Sequence, residues 1–107
     1  MNKSSGKRRP VGLAALRGFE SAARHLSFTA AAAELNLTQS SISRQIATLE
    51  RQVGKALFVR KTRALLLTPA GQQLQQTVQQ ALAGIDRCVD EIRGLGFQQV
   101  SLEVIRL

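Results

Sequence analysis

Two helical patterns stand only three residues apart in this chain, and that spacing constrains the fold more than any other feature. The first runs from about Phe28 to Leu35 and the second from about Gln39 to Val53, with Asn36, Leu37 and Thr38 between them. A connection that short fixes the angle at which two helices meet. Each end also carries its own signal. Ser27 can cap the first helix by accepting a hydrogen bond from an orphan N–H of its first turn. Ala30 to Ala33 are strong helix formers, small enough to let a neighbouring helix approach closely. Asn36 tolerates the left-handed conformation that ends a helix, Thr38 is the next N-cap, and Gly54 supplies the final stop.

The second of these helices is two-sided. At 100° per residue, Ile42, Ile46, Leu49 and Val53 form a narrow apolar stripe. Ser40, Arg44, Ala47 and Arg51 fall opposite, flanked by Ser43 and Thr48. Upstream, Leu13 to Leu26 reads as a helix whose Leu16, Phe19, Ala23 and Leu26 share one face. Downstream, the apolar runs Ala56 to Val59 and Ala64 to Leu67 flank Arg60, Lys61, Thr62 and Arg63, which reads as a small hairpin with a basic tip. Thr68-Pro69 then opens a long helix, about Pro69 to Arg93, with proline at the first position, where its missing N–H costs nothing.

That last helix carries a heptad seam: Leu74, Val78, Ala81, Ile85, Cys88, Ile92 and Leu95, with Leu82 and Val89 widening the stripe. Its other faces are rich in glutamine. A helix of this length spans about 38 Å, more than a small head can cover. The seam is therefore expected to pack on a second chain, the other reading being that it folds back on its own head. The expected architecture is mainly α: three helices and a two-stranded wing over residues 13–68, then a linker or dimerisation helix over 69–93. Residues 1–12 (MNKSSGKRRPVG) read as a disordered basic tail, either a solubilising flap or a phosphate-seeking arm.

Charge narrows the partner. The formal net charge is +8, and the excess lies early. Residues 1–12 hold four basic side chains and no acid, and residues 13–68 hold eight basic against three acidic. The polyanion signal thus belongs to the tail and head, not to the long helix. Cys88 is the only cysteine and His25 the only histidine, so an intrachain disulfide, a Cys/His metal cluster and a multi-His site are ruled out. His25 reads as a helix-end residue and Cys88 as a small apolar residue on the seam. No nucleophile–base pair stands out, so the chain is not expected to be an enzyme, and no cofactor is implied. No apolar run approaches the roughly 18 residues needed to cross a bilayer. A cytoplasmic protein is the expectation, with no membrane partner and no small-molecule site in these residues.

The pattern of helix, three-residue turn and two-sided helix is a layout that enters a DNA major groove. One face must be apolar to anchor the helix, and the other must be slim enough for the groove to admit it. Arg44 can reach guanine O6 and N7 as a bidentate donor, and the amide of Gln39 can pair with adenine N6 and N7. Ser27, Thr29 and Thr38 stand at helix N-termini, where hydroxyls and free N–H groups suit phosphates. Arg60, Lys61 and Arg63 on the hairpin are phosphate or minor-groove candidates, the other reading being a solvated turn. For Arg51 two readings stand side by side, a DNA contact or a surface pair with Glu50 or Glu34.

From Leu13 to Ala81 the chain resembles the N-terminal winged helix-turn-helix domain of LysR-type transcriptional regulators. The resemblance rests on Leu16-Arg17-Gly18-Phe19-Glu20, Leu26-Ser27-Phe28-Thr29-Ala30-Ala31-Ala32, Leu37 to Ile46, Leu49-Glu50, Leu57-Phe58-Val59-Arg60 and Leu67-Thr68-Pro69-Ala70-Gly71, six segments in order. The phrase Ala22 to Thr29 looks most like the branch that contains glycine cleavage system activators. The resemblance implies a sequence-specific double-stranded DNA-binding regulator, with Gln39, Ser40, Ser43 and Arg44 at base-reading positions. It implies that the hairpin is a wing bringing Arg60 and Arg63 to the DNA, and that the helix from Pro69 pairs antiparallel with its twin in a homodimer. Nucleoid association follows from such a role. Family members continue into a larger effector-binding region. Residues 94–107 are expected to be a stub of it, with Val100 to Ile105 as a first strand, in an apparently truncated regulator. The alternative from another class is a helical interaction module that forms mixed dimers with full-length family members, DNA being incidental.

Overall fold

The computed structural model describes residues 10–94; the basic tail up to residue 9, Leu95 of the seam and the expected strand Val100 to Ile105 lie outside them. The elements are α1 (Leu13–His25), α2 (Phe28–Leu35), α3 (Gln39–Val53), β1 (Phe58–Lys61), β2 (Ala64–Leu67) and α4 (Pro69–Ile92). Among the described residues this is a mainly helical head with a two-stranded antiparallel wing and a long final helix.

The caps act where their chemistry places them. The Ser27 hydroxyl accepts from the Ala30 N–H at 3.0 Å, and Thr38 accepts from the Ser41 N–H at 3.0 Å. Asn36 closes α2 at φ 58°, and Gly54 closes α3 at φ 81°. Thr68 works in both directions: its hydroxyl accepts from the Gly71 N–H at 2.9 Å and donates to the Ala56 carbonyl at 2.7 Å. Gly71 is needed there for space, since a Cβ would run into the Leu57 carbonyl oxygen. The base of the wing and the first turn of α4 are therefore locked together.

Phe19, Ile42, Ile46, Leu49 and Leu57 are fully buried, with Ala22, Ala31 and Phe58 around them. The small alanines let α2 approach α1 and α3 closely. Phe58 ties the wing to this core through tilted contact with Phe19, centroids 5.6 Å apart, and an edge-to-face contact with Phe28 at 5.4 Å. Each such pair contributes about 0.5–1.5 kcal/mol beyond simple burial.

Four expectations need correction. Leu26 does not extend the apolar face of α1. It is the left-handed C-cap at φ 51°, 43% exposed, because the chain must reverse within two residues to start α2. Val53 leaves the buried stripe and is 41% exposed, since α3 outruns the core by a turn. Strand β1 begins at Phe58 rather than Ala56. The Leu57 N–H is taken by the Glu50 carboxylate at 2.8 Å, and the Ala56 carbonyl by Thr68. The pairing Lys61↔Ala64 leaves only Thr62 and Arg63 as the turn, so Arg60 and Lys61 belong to the strand.

The fourth correction divides the seam. Val78 and Leu82 are buried against the molecule's own head, and Leu74 packs beside them. Ala81, Ile85, Cys88 and Ile92 remain exposed, Ile92 at 78%. A 24-residue helix is about 36 Å long, so the head can cover only one side of its first half. An ion pair from Arg17 to Asp86 at 2.9 Å adds a further link between α1 and α4.

Candidate nucleic-acid interface

The outer surface of α3 is exposed because its inner surface is fully committed. Ile42, Ile46 and Leu49 have no solvent exposure. The half-turns between them hold Gln39, Ser40 and Arg44 in the open, with Ser43 and Ala47 partly covered. Between Gln39 and Arg44 only the serines Ser40 and Ser43 stand on the outward side, while Gln45 turns its Oε1 inward beside Gly18. The N-terminal end of α3 also presents free N–H groups, which favour an anion there.

The wing folds back toward this surface. Ser27, Phe28, Gln39, Ser43, Arg60 and Lys61 line one open notch of about 380 Å³, which Arg63 also borders. The fold thus brings together Ser27, Gln39, Ser43, Arg60, Lys61 and Arg63 out of the residues expected from sequence. Thr38, Ser40 and Arg44 lie outside the notch, further round α3. The guanidinium of Arg60 rests 4.9 Å from the centroid of the Phe28 ring, a cation–π contact that holds the charge beside the notch.

Thr29 differs from expectation. Its hydroxyl donates to the Oε1 of Gln39 at 3.3 Å, so in this structure its proton is directed at a neighbouring side chain. Sequence reasoning also missed the Arg60–Phe28 stacking. Neither contact leaves a periodic trace, because both join residues brought near only by the crossing of elements.

Charge is distributed by role. Among the described residues, the ion pairs join Arg17, Arg24 and His25 to Asp86, Glu20 and Glu34, all away from the notch. Arg44, Arg60, Lys61 and Arg63 take part in none of them. Arg51 pairs with neither Glu50 nor Glu34; it donates to the Thr48 hydroxyl at 3.1 Å, while Glu50 caps the start of the wing. On the paired side, the Arg24 guanidinium chiefly, aided by the Ser21 hydroxyl, lowers the Glu34 carboxyl to about 2. Glu20 and Glu34 in turn raise Arg24 above its ordinary value. His25 ends α1, with Nε2 3.1 Å from Glu34.

Among the described residues there is no group of three His, Cys, Asp or Glu able to hold a metal ion, and no helix long and apolar enough to cross a membrane.

Residues 13–72 match the family model described as "Bacterial regulatory helix-turn-helix protein, lysR family". The chain is 55% identical over 64 residues to the HTH-type transcriptional activator AmpR of Citrobacter freundii, covering 60% of this chain and 22% of that protein. It is 58% identical over 60 residues to the glycine cleavage system transcriptional activator of Escherichia coli K12, covering 56% of this chain and 20% of the other. Similarity extends to both activators, so it is not confined to the glycine cleavage branch. Among solved structures, BenM DBD in complex with catB site 1 DNA superposes with a TM-score of 0.73 at 32% identity, covering 80% of this chain and 96% of that one. The chain spans about a fifth of the length of the two curated relatives.

Proposed function

The chain belongs to the lysR family of bacterial regulatory helix-turn-helix proteins, and from that premise we propose that it reads specific duplex DNA by laying α3 in the major groove. The observation that carries this reading is the two-sidedness of α3. Ile42, Ile46 and Leu49 anchor it, while a slim polar surface faces outward beside a wing whose cations make no ion pair among the described residues. In this proposal Gln39, Ser40, Ser43 and Arg44 meet base edges, with Arg44 as the bidentate donor to guanine. Ser27, Thr38, Arg60, Lys61 and Arg63 hold phosphates or enter the minor groove, keeping the helix in register. The proposal places the reading head at residues 13–68 and a linker helix at 69–93. Two copies pair antiparallel through the part of α4 that the head leaves bare, Ala81, Ile85, Cys88 and Ile92.

Such a dimer acts on transcription at a partly palindromic site whose half-sites lie in successive major grooves, about 10 bp or a multiple apart. Selecting bound sites from random duplex DNA, and measuring the mass of the complex, tests both statements. The expected result is one enriched motif with two-fold symmetry and two chains per duplex. Equal affinity for every duplex, vanishing at modest ionic strength, would sink the reading.

A further inference from the structure

We propose that Thr29 is a positioning residue for base recognition: its hydroxyl tethers the Gln39 amide beside the start of α2. This rests on the reading of Gln39 as a base-contacting residue. Gln39 is the first residue of α3, exposed, with a flexible side chain and an amide whose two ends differ chemically. Left free, that side chain samples many rotamers before it meets a base edge. Thr29, in the first turn of α2, donates to Gln39 Oε1 at 3.3 Å.

A hydroxyl both donates and accepts, so it can hold the amide by its oxygen or by its nitrogen. As placed, the bond holds Oε1 on the side of α2 with the NH₂ group outward, and in either orientation the side chain is tethered beside α2. One lone pair of Oε1 also remains. A tethered amide of this kind can still receive an adenine N6–H while donating to N7. Ordering the side chain before the DNA arrives also lowers the entropy lost on binding. Thr29 can be held in place because its neighbours are: Ser27 caps α2, and Phe28 packs edge-on against Phe58.

The test is affinity for the selected site and for every single base-pair change in one half-site, across a range of salt. It compares the wild-type chain with Thr29→Val, Thr29→Ser, Gln39→Ala and the Thr29→Val/Gln39→Ala pair. Melting curves accompany each variant. Valine keeps the β-branched shape and deletes the hydroxyl; serine keeps the hydroxyl. The expected result is that Thr29→Val reduces discrimination at one base pair, the one Gln39→Ala also affects, by about fivefold, the scale of one net hydrogen bond. Thr29→Ser restores it, the double variant is no worse than Gln39→Ala alone, and the salt slope is unchanged. A uniform loss of affinity on every sequence with Thr29→Val would overturn the proposal and mark the hydroxyl as a phosphate contact. Additive effects in the double variant would overturn it too. If Gln39→Ala leaves every base preference intact, the assignment of Gln39 falls, and the role of Thr29 with it; if only Thr29→Val is silent, the positioning role alone falls.

Discussion

The head of this molecule has two charged sides, built by opposite rules. At the ends of α1 and α2, Arg24 is gripped by Glu20 and Glu34, His25 leans on Glu34, and the Ser21 hydroxyl donates to the same carboxylate. Around α3 and the wing, Arg44, Arg60, Lys61 and Arg63 take part in no ion pair among the described residues. The first side neutralises its charges locally and uses them to tie two helix ends together. The second leaves them without ion pairs among the described residues, and the Arg60 guanidinium rests on an aromatic face, which fixes position without cancelling charge. Counting basic residues in the sequence cannot tell these sides apart. Only the location of the carboxylates does, and it turns a diffuse excess of charge into a directed one.

The sharpest way to break this contrast is Arg44→Ala. It should remove about 1–3 kcal/mol of preference for the selected site over random duplex, a tenfold loss or more, with the melting temperature unmoved. Competition binding measures it, and retained preference would mean that α3 is not the reading helix. Next in size, Lys61→Ala should weaken binding to all sequences alike and lower the slope of log affinity against log salt by about one. A slope that stays the same takes Lys61 out of contact with phosphate.

The paired side should respond to pH instead. The folded carboxyl of Glu34 lies at about 2, below its ordinary 4.5, chiefly because of Arg24. A lowered acid contributes stability that is complete above the ordinary value and is lost as pH falls from about 4.5 toward 2. Glu34→Gln should therefore flatten the acid side of the melting-temperature profile over that window while leaving neutral-pH DNA affinity alone. Because the group is exposed, the change in melting temperature should be small. Smallest of all, Arg60→Lys preserves charge but gives up the planar stacking on Phe28. The salt slope should hold, with affinity down by about twofold, near the low end for an exposed cation–π contact. A drop in slope would show that the ring, not the charge, governs the contact.

The two sides also differ in how far sequence alone reveals them. The ends of α2 and α3 were legible because their signals are local: Ser27, Asn36, Thr38 and Gly54 act within a turn of themselves. Ser40 and Arg44 followed from the wheel of α3, whose buried isoleucines fix what must point outward, whereas the roles of Gln39 and Ser43 rested more on the family resemblance. Leu26 misled because nothing in a leucine advertises a left-handed turn; the reversal into α2 imposes it. The start of the wing misled because Glu50 and Thr68, distant in sequence, claim the backbone groups of Leu57 and Ala56. The seam of α4 was visible as a stripe, yet a stripe does not say what it faces. Val78 and Leu82 face home and Ile85 and Ile92 do not, a division set by where the head ends.

Gly71 gives that division a further meaning. With the Leu57 carbonyl oxygen standing where a Cβ would go, the axis of α4 has no slack at its root: even one methyl group would pry the helix away from the hairpin. In a pair of molecules clasped through their far ends, the inclination set at that joint is what decides how far apart the two reading heads stand. The spacing of half-sites along a duplex would then be a dimension built into the protein, gauged by one missing side chain.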